Sequence, residues 1–392
     1  MNLLIIANNN LGNGLSGGDT ILINFIKHWQ KKLKITVLAS QETINIFNRH
    51  QLSNIKIIKT DTKNTNPNHF STFNILKHTV RRTIKGLKTA QKHGNIINNS
   101  HFIYSASDFY PDLLPAFYSK LINPKIKWIA GYYLLAPPPF SHSSPYKGIN
   151  KIKGILYWTM QQPSLFIVKK WADFVLVTSK PDTKKFPHKK VIIVQGGVDI
   201  PNSITCKAQV TRREKPQYDA CFMGRFHFQK GVLELIDIWK KVVAQKPNAK
   251  LVMIGDGELM NKVKNKIKKL GLKNNIILTG FKENTQTQNI FKQSKMILHP
   301  ATFDSGGMSA AQGMAYKLPA VSFDLESLKT YYPKGILKTP KYDLDKFAQN
   351  IIKLLDNPTL YKKTSKDAYD LIIHTWDWKK RTKRIYQQIF TA

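Results

Sequence analysis

Twelve short apolar runs, spaced by helix-length segments along 392 residues, constrain this chain more than any other feature. The first half holds Leu3–Ala7, Ile35–Leu38, Ile55–Ile58, Phe102–Tyr104, Lys127–Ala130, Phe174–Val177 and Val191–Val194. The second half holds Ala220–Met223, Leu251–Ile254, Ile276–Leu278, Met296–Leu298 and Ala320–Phe323. Most are β-branched and apolar at consecutive positions, the pattern of strands covered on both faces. Strands alternating with helical segments build parallel sheets through crossover helices. Twelve strands are too many for one ordinary sheet, so the sequence predicts an α/β chain of two doubly wound domains. The stretch from Gly196 to Gln217 lacks periodic apolar residues and carries Gly196, Gly197, Pro201 and Pro216. This places the domains at 1–197 and 198–374. The segment 375–392 reads as a helix bearing Trp376, Trp378, Ile385, Tyr386 and Ile389, which either closes the second domain or crosses back to the first.

The stretch from Pro300 to Pro319 follows a strand-like run and opens on Asp304-Ser305-Gly306-Gly307-Met308 before a small-residue helical segment. A helix start offers unpaired N–H donors and a positive dipole end, which together hold phosphate. Gln312 lies eight residues after Asp304. At a helical rise that separation is roughly 12 Å, suited to an elongated ligand with phosphate between its ends, such as a nucleotide-sugar. Gly224-Arg225-Phe226-His227-Phe228-Gln229-Lys230-Gly231 leaves another strand's carboxyl end, where open α/β sheets bind ligands. Arg225 and Lys230 suit a pyrophosphate, one as a planar fork and the other as a compact charge. The link from Asn8 to Gly18 carries Gly12, Gly14, Gly17 and Gly18; it is either a backbone cradle for donor or acceptor or a turn with a polar helix cap. The turn from Gly255 through Gly257 to Glu258 is adequate as a tight turn alone.

Other chemistries leave no trace. The chain has no phosphate-loop, His-Glu-x-x-His or Gly-x-Ser-x-Gly pattern. Its eleven histidines are scattered, and single ones such as His227 and His299 read as satisfied side chains. Cys206 and Cys221 form no disulfide framework and no zinc spacing. No apolar run reaches 18 residues, and the N-terminus enters a strand-like run directly, so the expectation is a cytoplasmic protein without a signal peptide.

The formal net charge is +37, with 61 Lys and Arg against 24 Asp and Glu. Such a surface is either simply solvated, reflecting codon bias, or meets an anionic membrane; no nucleic-acid module is visible. Two segments sharpen the membrane reading. Phe73 to Lys92 sets Leu76, Val80, Ile84 and Leu87 at helical spacing, with Lys77, Arg81, Arg82, Lys85, Lys88 and Lys92 pointing elsewhere. Tyr146 to Trp171 mixes Lys147, Lys151, Lys153, Lys169 and Lys170 with Tyr157, Trp158, Phe166 and Trp171. Each reads as an amphipathic helix packed on a sheet, or as one lying in a lipid interface.

Together these residues resemble a family 4 glycosyltransferase of the GT-B type over nearly the whole chain. The specific part is Gly224-Arg225 with Lys230-Gly231, then Gly255-Asp-Gly-Glu258, then Leu278-Thr-Gly-Phe281, with Pro300–Pro319 standing where the family has its Glu-x7-Glu motif. Gly17-Gly18, Gly196-Gly-Val-Asp199 and the Trp376 segment agree more loosely. The resemblance implies two Rossmann-like domains facing across a cleft. It implies retaining transfer of a sugar from a UDP-, GDP- or ADP-sugar, with no metal or other cofactor. By position, Arg225 and Lys230 neutralise the leaving diphosphate, and Ser305, Gly306, Gly307 and Met308 bring backbone donors to diphosphate and sugar. Asp304 contacts sugar hydroxyls and Gln312 the ribose, while Gly257, Glu258 and Phe281 join Gly17 and Gly18 in lining the donor site. Asp304 and Gln312 replace the family's two glutamates. The family's N-domain histidine has no counterpart in Trp128–Phe140, where Tyr133 is the nearest candidate.

The expected partners are the donor and a glycan or lipid-linked acceptor, with the protein peripheral at the inner face of the cell membrane. Other readings are a catalytically silent binding protein on the same fold, a nucleotide-sugar epimerase using Asp108, Glu258 or Asp304, and, on charge alone, a nucleic-acid binder.

Overall fold

The computed structural model describes residues 1–10, 15–62, 72–141, 144, 146, 148, 150–201, 216–282 and 284–391. Gly12, Gly14, Lys147, Cys206 and most of the Gly196–Gln217 segment, all singled out above, lie outside the described residues. The chain divides into two compact units: Met1–Gly196 with Lys379–Ala392, and Gly197–Trp378.

The first unit contains a seven-stranded sheet of β1 (Asn2–Ala7), β2 (Lys34–Ser40), β3 (Lys56–Asp61), β4 (Phe102–Ser105), β5 (Lys127–Gly131), β6 (Phe174–Val177) and β7 (Lys190–Ile193). Their order is β3-β2-β1-β4-β5-β6-β7, and every pairing is parallel. The second unit contains β8 (Ala220–Met223), β9 (Leu251–Ile254), β10 (Ile276–Gly280), β11 (Ile297–His299), β12 (Ala320–Phe323) and β13 (Ile336–Thr339). They are again all parallel, in the order β10-β9-β8-β11-β12-β13. Both orders reverse direction beside their first strand, the doubly wound arrangement whose ligand crevice opens at the carboxyl ends on either side of that reversal. In the first sheet that point is β1/β4; in the second it is β8/β11.

The expected twelve strands are all present, and β13 is a thirteenth. Its residues Ile336-Leu-Lys-Thr339 are only half-apolar and sit on a sheet edge, so they lack the continuous apolar signal of a central strand. The carboxy-terminal helical segment is two elements, Pro358–Thr375 and Trp378–Phe390, and the backbone around Trp376 and Asp377 pairs with Val198.

Each unit has its own core. Leu4, Ile6, Ile103, Trp128, Tyr132, Val175 and Val177 anchor the first. Phe222, Trp239, Leu251, Met253, Leu298, Val321 and Phe347 anchor the second. No helix among the described residues is long and apolar enough to cross a membrane.

The helix Thr72–Lys92 overturns the expectation that its apolar set packs inward. Leu76, Val80 and Ile84 are exposed, while Arg82, Thr83, Gly86 and Ala90 are buried. Buried carboxylates turn it. Asp61 at the end of β3 pairs with Arg81 and Lys85, and Glu42, in the helix Gln41–Arg49, pairs with Arg82. Small residues fit the inward face: a Cβ at Gly86 would lie 2.9 Å from Pro115 of the helix Tyr110–Ile122.

Candidate active site

The second unit gathers three glycine-bearing loops at the carboxyl ends of its strands. Gly224 N–H donates to the Ile254 carbonyl, Phe226 N–H to Asp256, and Gly255 N–H to Gly280, lacing the loops after β8, β9 and β10 together. Gly255 and Gly231 are glycine because nothing else fits. At Gly255, φ is 142° and a Cβ would stand 1.9 Å from the Gly224 carbonyl oxygen; at Gly231, φ is 64° and a Cβ would stand 2.0 Å from that of Pro300. The loops after β8 and β11 are joined where Thr302 N–H donates to Gln229 at 2.9 Å.

This lacing sets Lys230 against Asp304. The Lys230 ammonium lies 2.5 Å from Asp304 Oδ2, while Asp304 Oδ1 accepts from Gly306 N–H at 3.1 Å and from Gly307 N–H at 3.0 Å. Burial acts to raise the Asp304 pKa, but the Lys230 ammonium, the His299 ring and the Gly307 amide outweigh it, holding the carboxyl well below the usual carboxylate range. The loop is braced from behind: Tyr332 Oη donates to the Gly307 carbonyl at 2.7 Å, and Ser327 Oγ donates to the Asp304 carbonyl.

Asp304 through Gly307 stand outside the helix, which runs Met308–Met314. Only the second half of the Asp304–Gln312 span is therefore helical, so the separation expected from a continuous helix does not apply. Gln312 is half-buried on that short helix. Of the four backbone donors proposed for diphosphate and sugar, Gly306 and Gly307 already bond to Asp304; Ser305 and Met308 have no acceptor among the described residues. Arg225 is exposed, and its guanidinium has no partner among the described residues. Glu258 lies 3.6 Å from His227 Nε2 on the loop beside Gly257. Phe281 is exposed one strand further out, after β10.

His299, read from sequence as an ordinary satisfied side chain, belongs to this cluster. It is the last residue of β11, is buried, and contacts Ser309 Oγ through Nδ1 at 3.1 Å. Its Nε2 has no hydrogen bond and lies 3.5 Å from Asp304 Oδ2. Burial lowers its pKa to about 4, aided by the Lys230 charge and opposed by Asp304, so the ring is neutral near pH 7 and the contact is not an ion pair there. Its place, directly before Pro300 at a strand's carboxyl end, was the available signal.

The first unit collects a different set. Tyr133, just after β5, is buried and hydrogen-bonded hydroxyl to hydroxyl with Tyr104 of β4. Burial raises its pKa, against the Tyr104 bond. A Cβ at Gly18 would meet the Tyr133 ring at 3.3 Å, so these two candidates are neighbours. Gly17 and Gly18 open the helix Gly17–Trp29 within a capping box, with Asp19 N–H donating to Ser16 Oγ at 3.2 Å and Ser16 N–H to Asp19 Oδ2 at 2.7 Å. Asp108 is buried and accepts from Gln161 Nε2 at 2.8 Å, and burial pushes it up to about 6. Asp112 accepts from the amides of Asn8 and Asn9 and from Ser107 Oγ, and burial pushes it up to about 7 against those bonds.

Comparison with known proteins places this architecture. The family model described as glycosyl transferases group 1 matches residues 204–371. The chain is 26% identical to the poly(glycerol-phosphate) alpha-glucosyltransferase of Bacillus subtilis over 159 residues, 40% of this chain and 23% of that protein. It is 20% identical over 264 residues to an Escherichia coli UDP-Gal:alpha-D-GlcNAc-diphosphoundecaprenol alpha-1,3-galactosyltransferase, covering 60% of this chain and 67% of that one. The chain spans between 23% and 59% of the lengths of the first four curated relatives it matches. Among solved structures, Anabaena Alr3699/HepE in complex with UDP-glucose superposes with a TM-score of 0.72 at 14% identity over 100% of both chains, a likeness of fold. The two parallel α/β units share the fold of GT-B glycosyltransferases, and the carboxy-terminal region, residues 204–371, is the part that matches the glycosyl transferases group 1 family.

Proposed function

We propose that the protein transfers a sugar from a nucleotide-sugar to a glycan or lipid-linked acceptor with retention of configuration and without a metal ion. The observation carrying this reading is the meeting of Lys230, Asp304 and the Gly306-Gly307 turn at the β8/β11 switch point, with Arg225 open on the adjoining loop. Departure of a nucleoside diphosphate builds negative charge, and fixed cations and amides stabilise it most effectively where they need not reorganise. Arg225 and Lys230 take the diphosphate oxygens, assisted by the amides of Ser305 and Met308. Asp304 reads the sugar hydroxyls, and Gln312 takes the ribose through its amide. Gly257, Glu258 and Phe281 line the base and ribose side, and Tyr133, beside Gly17 and Gly18, serves the acceptor side. The relatives that act on a diphosphoundecaprenol-linked sugar and on poly(glycerol-phosphate) support an envelope acceptor, with the protein in the cytoplasm at the inner membrane face.

A thermal-shift screen against UDP-, GDP- and ADP-sugars, followed by transfer of label from the stabilising donor, tests this. Stabilisation and transfer support it. No shift with any of the three overturns it.

One observation favours a silent binding protein on the same fold. The Asp304 carboxylate is taken up by Lys230 and by two of the four loop amides, so a donor must displace it before using them. Stabilisation by a nucleotide-sugar with neither hydrolysis nor transfer selects that reading.

A further inference from the structure

We propose that the outward face of the helix Thr72–Lys92 is a docking surface for an anionic lipid bilayer. Leu76, Val80 and Ile84 are 41%, 51% and 48% exposed, although their spacing would suit a buried stripe. Isolated apolar residues on a surface need no explanation, but a continuous row does. At 3.6 residues per turn, Leu76, Leu87, Val80 and Ile84 span about 80° of the helix circumference, and Lys77, Lys88, Arg81 and Lys92 continue the same face over about the next 80°. The helix carries no Asp or Glu. Arg81, Arg82 and Lys85 are held by Asp61 and Glu42, whereas Lys77, Lys88 and Lys92 are exposed and without partners among the described residues.

The inward face explains why this row cannot turn into the core. Asp61 and Glu42 fix the cations beneath it, and Gly86 sits against Pro115 too tightly for any side chain. The apolar row is therefore locked outward, with exposed ammonium groups that have no partner among the described residues along one flank. That is the anatomy of a helix lying in a membrane interface, its apolar side at the acyl boundary and its lysines reaching the headgroups. Charge complementarity selects the partner: a face with no carboxylate, on a chain of net charge +37, fits anionic lipid. The inference rests on the proposed function only in supposing that the acceptor is presented at a membrane.

Co-sedimentation with vesicles of phosphatidylcholine, alone or mixed with phosphatidylglycerol, tests it. The wild-type chain binds the anionic vesicles and leaves the neutral ones. The V80E/I84E double substitution lowers binding at least about tenfold, and K77E/K88E lowers it by about fivefold per lysine. The altered side chains are exposed, so both variants keep the parent's circular dichroism and thermal melt. Four outcomes overturn the proposal: equal or no binding on both lipids; binding retained by V80E/I84E; loss on I152E/F166E in place of V80E/I84E; or a V80E/I84E effect confined to breaking a dimer in sedimentation. Thermal shift by nucleotide-sugars, run on the same variants, separates the two readings. Vesicle binding without a nucleotide-sugar shift leaves the docking surface standing and removes the proposed function.

Discussion

Largely buried carboxylates behave in opposite ways at the two switch points. Asp304, after β11, has an ammonium 2.5 Å away and is held ionised. Asp108 and Asp112, after β4, have hydrogen bonds from Gln161, Ser107, Asn8 and Asn9 but no ion pair among the described residues, and burial raises both. The same strand order therefore sets an ion-paired carboxylate at one switch point and hydrogen-bonded carboxylates without an ion pair among the described residues at the other. The difference lies in the loops. The second unit spends glycines on bringing Lys230 against the β11 loop, whereas the first caps its glycine-bearing helix with Ser16 and Asp19. An anionic leaving group is stabilised by the ammonium at the β8/β11 switch point and finds no such charge beside the β1/β4 carboxylates among the described residues, which supports the proposed placement of diphosphate chemistry in the carboxy-terminal unit.

The sharpest way to break that assignment is to remove the cations. R225A and K230A should each lower turnover of labelled donor by about 10²–10³, or roughly 2.7–4 kcal/mol of transition-state stabilisation. R225A should leave the thermal melt unchanged, because its guanidinium has no partner among the described residues, whereas K230A also strands the largely buried Asp304 and lowers the melt. Unchanged turnover in both would dissolve the contrast between the units.

A second prediction addresses the lacing. G255A must relieve a Cβ placed 1.9 Å from a carbonyl oxygen in addition to a positive φ, so it should cost more than the roughly 1–3 kcal/mol of backbone strain alone. G271A, with φ of 70° and nothing within 4 Å, should cost only about 1–2 kcal/mol in the same urea melts. Equal costs would mean that the loops after β8 and β9 are not held at the observed distance.

The pH dependence should run in opposite directions. Asp108 and Asp112 have folded pKa values of about 6 and about 7, above their ordinary value near 4. Between about pH 4 and 7 the folded first unit binds more protons, so these groups add stability as pH falls. His299, lowered to about 4, binds more protons when unfolded over about pH 4–6.5, so the second unit loses stability as pH falls. Asp304, already depressed, contributes fully above about pH 4 and is lost only below it. Urea melts at pH 7 and pH 5 should show D108N gaining less stability on acidification than the parent, and H299Q losing less. Parallel shifts in both variants would show that the two switch points do not differ in this way.

The smallest effect is expected at Gln312. Q312E should fold normally and bind donor several-fold more tightly if a ribose hydroxyl is read there, as the hydrogen-bond capacity of either side chain allows. Complete loss of binding would assign the neutral amide a role of its own.

Much of this was legible without coordinates. Strand positions follow from local apolar pattern, because a strand covered on both faces must be apolar at successive residues, and β13 escaped for want of that pattern. The strand-end loops bearing Lys230, Asp304 and the paired glycines were also visible, since glycines, cations and a helix start at a strand's end are local marks. Three things were not. That Lys230 neutralises Asp304 depends on two loops 74 residues apart in sequence being brought to 2.5 Å. That His299 joins them depends on which way a strand-end side chain turns, which neither spacing nor composition records. The helix Thr72–Lys92 shows its apolar row outward because Asp61 and Glu42, distant in sequence, pull its cations in. Periodicity determined that the helix has two faces; only partners supplied by the fold decided which one is buried.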